Sequence, residues 1–340
     1  MKIHAKAPNR IDLSGGTLDI YPLYVFLDGG YTLNAAIDLY SEVTLTPIPE
    51  DHFYFYSEDL DLKRDLSREE LQAGLPQGDF FQLLVEIVRF YEPATGLKIS
   101  THNQAPKGSG LGASSALLIA LSGALNQYNR SYMDGETLIH YGADLEARSL
   151  GIPTGKQDYY AALYGGINAI HFGLNGITHE NLELTPSFIE KLNQSLVISF
   201  TGQSHFSGTN NWNMLKAFIE DQGKTREHLH AIRQTSERML DALESADMEH
   251  LVQLLDEEWK NRKALAEGVS TPQIDAMILA AKEQGAWASK ICGAGGGGCM
   301  LTLCPAELKP AVEKALQENG ATIMKQQIAP LGLQVNVISD

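Results

Sequence analysis

The chain is short of cysteine, of positive charge and of long apolar runs, and each shortage closes off a class of protein. Three cysteines in 340 residues, Cys292, Cys299 and Cys304, cannot build a disulfide framework and suit a reducing compartment. No window of about 18 consecutive apolar residues occurs, so no membrane-spanning helix is expected. The opening residues, MKIHAKAPNRIDLSGG, lack the apolar stretch of a secretory signal, and the expected location is the cytoplasm. Lys and Arg number 26 against 42 Asp and Glu, a net charge of −16. A field of that sign repels nucleic acid and anionic membranes, so neither is an expected partner. Any bound anion must therefore be held by a local device of backbone N–H groups and a few placed cations. The histidines are scattered with no H-x-x-x-H pair, and zinc is not expected.

What is present is ordinary globular material: 44% hydrophobic and 20% charged residues, enough for real cores. At roughly 150 residues per domain the length suggests two domains. Strand patterns fill the first fifty residues, KIHAKAPNRIDLS and then GGYTLNAAIDLYSEVTLTPI. Residues 57–70 and 72–78 read as charged, turn-prone connections. FFQLLVEIVRFY at 80–91 has the spacing of an amphipathic helix, and GLKISTHNQAP reads as a strand entering a glycine-rich loop. Residues 113–128 are apolar almost all round and predict a buried helix. Another helix is expected over 136–150 and a strand in GGINAIHFG. From LVISFTG onward the texture changes: helical patterns at 208–221, 225–246, 248–267 and 272–284, then short strands on either side of AGGG, a helix near 306–318 and the strand LQVNVI. The expected domains are 1–187 and 188–340. No flexible linker separates them, which places a site in the cleft between packed halves.

The informative segment is PKGSGLGASSA, residues 106–116. Gly108, Gly110 and Gly112 alternate in a loop joining a strand to the buried helix, which lets the backbone adopt positive φ and turn its N–H groups toward a ligand. The helix then begins at Ala113, Ser114 and Ser115, offering unpaired N–H groups and its positive dipole end to an anion, with a triphosphate the natural occupant. The two serine hydroxyls either cap the helix or, for one of them, ligate Mg²⁺. The plain alternative is a glycine-rich turn with a serine cap.

Two better-known phosphate motifs fail here. G-x-x-x-x-G-K-[ST] is one residue short at Gly151…Gly155-Lys156, and Gly223-Lys224-Thr225 has Phe218 where the first glycine belongs. G-x-G-x-x-G matches only at residues 293–298, where the strand-like CMLTLC and not a helix follows. Glycines there cost about 0.5–1 kcal/mol each relative to alanine, which a backbone lying against a ligand explains better than a simple hairpin turn does.

Arg10 and Asp12 alternate with Ile11 and Leu13 just before Gly15-Gly16-Thr17-Leu18-Asp19. They are either solvent-facing strand and turn residues or a cation and carboxylates aimed at a cleft. Glu146 and Asp158 flank the loop Gly151-Ile152-Pro153-Thr154-Gly155. Runs such as Asp256-Glu257-Glu258 read as solvated helix face.

Three segments in register, APNRIDLSGGTLD, PKGSGLGASSALL and KICGAGGGGCML, resemble the GHMP kinase superfamily, and the resemblance spans nearly the whole chain. GIPTGKQDYYAALYGGINAI, SFTGQSHFSG, EEWKNRKALAEGVSTPQID and GAWASKICGAGGGG are most similar to its D-glycero-D-manno-heptose 7-phosphate kinase-like and L-fucokinase-like sugar kinases. The resemblance implies an α+β, two-domain fold, with a ribosomal protein S5 domain 2-like first domain and a ferredoxin-like second. It implies ATP and Mg²⁺ as cofactors, a sugar or sugar phosphate as small-molecule substrate, and leaves a homodimer open. Carried over by position, Pro106, Lys107, Gly108, Ser109, Gly110, Leu111, Gly112, Ala113, Ser114 and Ser115 would wrap the phosphates. Ser115, with Ser114 as alternative, would join Glu146 on Mg²⁺. Asp158 would be the catalytic aspartate and Arg10 the basic residue beside it. Gly16, Thr17 and Asp19, together with Gly293, Ala294, Gly295 and Gly296, would complete the acceptor side.

The chain departs from galactokinases at Asn9, Asp12 and GGTLD, which argues against galactose. In TGQSHFSG it carries His205 where heptose-phosphate kinases have an arginine. Lys156, Arg262 or Lys263 are the candidate replacements as phosphate anchors. The expected activity is an ATP-dependent sugar or sugar-phosphate kinase. The alternatives are a kinase for a non-sugar alcohol such as mevalonate, and a catalytically silent ligand-binding homologue. The silent homologue is disfavoured because Arg10, Ser115, Glu146 and Asp158 are all present.

Overall fold

The computed structural model describes residues 2–204, 207–221 and 223–338, with only the backbone of 207–210. His205 lies outside them. The chain runs β1 (Lys2–Ser14), α1 (Leu23–Phe26), β2 (Gly30–Ile48), β3 (His52–Ser57), β4 (Leu62–Ser67), α2 (Arg68–Ala73), α3 (Gln82–Tyr91), β5 (Gly96–Asn103) and α4 (Ala113–Asn129). It continues through α5 (Gly135–Leu150), α6 (Gln157–Tyr164), β6 (Ile167–Gly173), β7 (Gly176–Asn181), α7 (Pro186–Ser195) and β8 (Leu196–Phe200). Then come α8 (Ser207–Ile219), α9 (Thr225–Glu244), α10 (Met248–Arg262), α11 (Pro272–Glu283), β9 (Ala288–Ile291), β10 (Cys299–Leu303), α12 (Lys309–Glu318), β11 (Thr322–Met324) and β12 (Gln334–Ile338).

The first sheet runs β12-β1-β2-β5-β3-β4, with β6 on the front half of β2 and β7 outside it. β2 is long enough to change partners: Gly30–Ala35 pairs with β6, and Ser41–Ile48 with β5. β1 alternates exposed and buried residues only near its start; from Ala7 onward every residue is buried, because helices cover one face and the second half of the chain covers the other. Two irregularities in its register with β2, at Pro8/Asn9 and at Asp12/Ser14, bracket the stretch holding Arg10 and Asp12. Bulges of this kind re-aim side chains, and they cluster near active sites.

The second sheet is antiparallel in the order β11-β8-β10-β9. With α11 before β9 and α12 before β11, that is the split βαβ arrangement expected of a ferredoxin-like domain. Sheet membership changes between Asn181 and Leu196, the stretch containing the expected border. The segment 188–340 is nevertheless not all second-sheet: β12 returns to pair with β1, Lys2 opposite Ile338. No local pattern in LQVNVI marks this return, because an edge strand carries no mark of its partner. Residues 57–70 and 72–78, expected as connections, instead hold the end of β3, β4 and α2, and 157–164 forms the unexpected helix α6.

α4 is buried along most of its length, as its apolar circumference predicts, and packs in one core with α3, α5 and the sheet. A second core joins Ile11, Leu13 and Leu33 of the first sheet to Met239, Leu254 and Leu301 of the second half. A third packs Leu18, Leu23 and Leu27 against Met214, Trp259 and Val269. The two halves thus share apolar cores, and the loop after β1 is held from the second half.

Candidate active site

One cavity of about 830 Å³ opens where the halves meet, and the whole segment 106–115 lines it. Gly108, Gly110 and Gly112 have φ of 69°, 71° and 76°, the left-handed conformation that alternating glycines make accessible. Ser109 is buried and its carbonyl accepts the Cys299 N–H at 2.6 Å. Gly112 is the N-cap of α4, and no side chain caps that end. The N–H groups of the first turn therefore face the cavity without the serine cap that was one of the two expectations.

The serine hydroxyls go elsewhere. Both Ser114 and Ser115 donate to Glu146, the second at 3.0 Å, and the Tyr159 hydroxyl donates to Glu146 as well. Burial raises the pKa of this carboxyl, and the three hydroxyls oppose the shift. No lysine or arginine pairs with Glu146 among the described residues. A buried carboxylate with hydroxyls but no cation, beside the glycine loop, has the oxygen donors a divalent ion favours. No cluster of three or more acidic, His or Cys residues suited to a metal occurs among the described residues. Phosphate oxygens and water would have to supply the rest of such an ion's shell.

Arg10 is only 4% exposed and lines the cavity, so it is not a solvent-facing strand residue. Its backbone N–H donates to Leu111 O at 2.9 Å and its Nη1 to Gly110 O at 2.6 Å, so it braces the glycine loop twice. Its Nη2 lies 2.6 Å from Asp158 Oδ1. Asp158 projects from the first turn of α6 and lines the cavity. Burial raises its pKa above the ordinary carboxylate value, and Arg10 opposes the shift. The arrangement leaves Oδ2 turned toward Gly112, where a methyl group would lie 2.9 Å from it. Gly112 is therefore needed twice, for its positive φ and for the approach of this carboxylate.

Gly16, Thr17 and Asp19 line the same cavity. Asp19 is buried and accepts the Gln157 N–H at 3.0 Å. Burial pushes its pKa up to about 6. A methyl group on Gly155 would stand 2.2 Å from its Oδ2, so the loop before α6 closes over Asp19 only because residue 155 is glycine. Of the four residues expected from the second glycine run, Gly293 and Ala294 line the cavity and Gly295 and Gly296 do not. The latter two lie against Val269: the Gly296 N–H donates to its carbonyl at 2.8 Å, and a methyl on Gly295 would meet that carbonyl at 2.6 Å.

The comparisons with known proteins agree with this geometry. Residues 81–166 match the GHMP kinases N terminal domain, and 239–322 match GHMP kinases C terminal. A D-glycero-alpha-D-manno-heptose 7-phosphate kinase of Campylobacter jejuni is 30% identical over 319 residues, 93% of each chain. This chain belongs to the GHMP kinases. A mevalonate kinase of Thermococcus onnurineus is 26% identical, covering 99% of both chains. Among solved structures, a D-glycero-D-manno-heptose 1-phosphate kinase from Bacteroides thetaiotaomicron superposes with a TM-score of 0.79 at 26% identity, over 99% of this chain and 100% of that one. The galactokinase of Lactococcus lactis, solved with galactose, shares the fold with a TM-score of 0.80 at 18% identity, over 98% and 95%. As a GHMP kinase the protein is a phosphotransferase with an alcohol group as acceptor, and ATP is the donor that family uses.

The structure of this GHMP kinase adds residues that no motif marked. The apolar side chains of Leu60, Phe80, Leu83 and Leu84 also line the cavity, as do Asn103 and Gln104. The Lys107 ammonium lies 6.0 Å from the Phe80 ring. The Asn103 Oδ1 is buried with no hydrogen-bond partner. These residues come from three separate segments, so only folding unites them.

Two expectations are corrected. Arg262 is fully buried and bound to Glu258 and Gly16, and so is not available to anchor an acceptor phosphate. Lys263 is exposed and Lys156 is half-buried, and neither lines the cavity. Glu258, read as solvated helix face, is wholly buried, because it faces Arg262 one turn along and Lys290 across from it.

Proposed function

We propose that this kinase transfers the terminal phosphoryl group of MgATP to a hydroxyl of a sugar phosphate, with a heptose 7-phosphate as the leading acceptor. The observation carrying the reading is the Arg10–Asp158 pair packed against the glycine loop, with Asp19 on the same cavity wall. The 30% identical heptose 7-phosphate kinase supports the choice of acceptor.

Phosphoryl transfer asks the protein for alignment and charge neutralisation more than for covalent chemistry. The N–H groups of Gly108, Gly110, Leu111 and Gly112 and of the first turn of α4 would receive the triphosphate, that of Ser109 being donated to Pro106 O at 3.0 Å, and the apolar side chains of Phe80 and Leu83 would take the base. Glu146 and the Ser115 hydroxyl would hold Mg²⁺, which when bound neutralises phosphate charge. Asp158 accepts the proton of the acceptor hydroxyl at Oδ2, the oxygen Arg10 leaves free. Its raised proton affinity suits that task, since a general base works best when its pKa lies nearer the working pH. Arg10 fixes the rotamer of Asp158 and places positive charge beside the transferring group. Asp19 accepts hydrogen bonds from further hydroxyls of the acceptor.

The test is ADP release from MgATP with heptose 7-phosphate, mannose, fucose, galactose, galacturonate and mevalonate offered singly. Turnover should be fastest with the heptose 7-phosphate. Turnover of mevalonate alone would overturn the sugar reading.

A further inference from the structure

Behind the acceptor side lies a cluster of four fully buried charges. Asp12 comes from β1, Glu258 and Arg262 from α10, and Lys290 from β9. The charges cancel. Lys290 Nζ lies 2.9 Å from Glu258 Oε2 and 3.4 Å from Asp12 Oδ2, and also donates to Leu13 O at 3.3 Å. Burying four ions is costly, and apolar residues of similar volume often serve stability as well or better, so stability alone does not explain them.

Arg262 is where the cluster reaches the site. Its Nε donates to Glu258 Oε1 at 2.7 Å, its Nη2 to Gly16 O at 2.8 Å and its Nη1 to Thr17 Oγ1 at 3.3 Å. The planar fork is thus divided between a carboxylate of its own helix and the loop of the other half. Gly16 is glycine on this account: a methyl group there would lie 2.4 Å from Asp12 Oδ2 and 3.1 Å from Arg262 Nη2. Thr17 has φ of +78°, a conformation that a β-branched residue adopts only when its surroundings compel it. Both residues line the cavity. The glycine loop, in contrast, is held by Arg10 and by the run 293–299, and among the described residues no hydrogen bond or ion pair joins it to Arg262.

We propose that Arg262 is a positioning residue for the acceptor: from the second half of the chain it fixes the height of the Gly16–Thr17 loop, and so the place of the acceptor hydroxyl against Asp158. The inference rests on reading that loop as the acceptor side. A lysine cannot replace the fork, because a single ammonium cannot serve Glu258 and two loop oxygens in fixed directions.

The test uses the full chain with MgATP and the acceptor the wild type turns over fastest. Arg262→Lys keeps the charge and should raise the acceptor KM at least tenfold, with the MgATP dissociation constant measured by calorimetry staying within twofold. Glu258→Gln, which loosens the fork without entering the cavity, should move the acceptor KM the same way by about threefold, a smaller change expected of a group acting through Arg262. It carries the test if the first variant does not fold. Equal weakening of acceptor and nucleotide, or no change in either, would overturn the proposal. Wild-type failure with heptose 7-phosphate alone would overturn only the choice of acceptor, and the KM split would then be read with the acceptor that is used.

Discussion

The chain has two glycine-rich turns that meet at one cavity, and their glycines serve different neighbours. In 106–115 every residue lines the cavity, and Gly112 makes room for the Asp158 carboxylate. In 293–298 only Gly293 and Ala294 reach the cavity. The rest of the run lies against main chain: a methyl on Gly295 would meet Val269 O, one on Gly297 would meet Gln203 O, and one on Gly298 would meet Ser109 O, each at 2.6 Å. The first turn is open to a ligand and the second buttresses the first. Glycine content alone does not separate a loop that grips a ligand from one that lets two backbones touch. The partner of the missing side chain separates Gly112 from Gly295, Gly297 and Gly298, while Gly110 of the first turn also lies against main chain, with Cys292 O at 2.7 Å from a methyl there.

That contrast can be broken by substitution. The largest effect belongs to the residue Gly112 accommodates. Asp158→Asn keeps the shape but cannot accept a proton, and kcat should fall by about 10²–10⁴, the span of general-base contributions, with the acceptor KM nearly unchanged. Comparable loss in both under steady-state kinetics would reduce Asp158 to a pocket wall.

Next come the two turns themselves. Gly298→Ala meets a carbonyl at a φ of 83° and should lower stability by about 2–5 kcal/mol, the sum of left-handed strain and overpacking. Gly112→Ala meets the Asp158 side chain, with Cγ at 2.8 Å and Cβ at 3.0 Å and its rotamer held by Arg10, so it too should lose about 2–5 kcal/mol, but with it kcat drops sharply. Denaturant melts beside kcat would expose the contrast as empty if the two variants behaved alike.

A smaller effect is expected where the first turn meets Glu146. Glu146→Gln removes the charge but keeps the shape, and the Mg²⁺ concentration for half-maximal rate should rise on the order of tenfold, read by titrating Mg²⁺ at fixed ATP. An unchanged requirement would show that the hydroxyls of Ser114 and Ser115 meet Glu146 for packing only.

The mildest effect is in pH. Asp19 releases its proton at about pH 6, so its anionic form is present above that value and is lost as the pH falls through it. The acceptor kcat/KM should decline on that acid limb, and Asp19→Asn should remove the limb. A limb that persists in the variant would belong to another group.

Parts of this were legible beforehand for identifiable reasons. Alternating glycines before an apolar helix dictate a turn with exposed N–H groups, whatever surrounds it, and α4 and its loop stand where the pattern put them. Arg10, Asp158, Glu146 and Asp19 were found by resemblance and then brought to one cavity by the fold. Glu258 reads as solvated because, on a helix seen alone, charges favour water, and only Arg262 and the opposing Lys290 make its burial tolerable; Arg262 reads as a candidate phosphate anchor until Glu258 and Gly16 are seen to claim it. The apolar lining by Leu60, Phe80 and Leu83 carries no local signature, since an apolar residue lining a cavity reads like one filling a core.

By itself the sequence determined the glycine turn before α4, the buried helix behind it and most of the helices and strands of the second half, though not β11, because these follow from φ freedom and hydrophobic period within a few residues of chain. The tertiary structure alone decided that β12 flanks β1 at the edge of the first sheet, that the second glycine run supports the first, and that a helix arginine reaches the Gly16–Thr17 loop. Those are contacts between residues hundreds of positions apart, and no local energy in the chain encodes which of its charges or edges will meet.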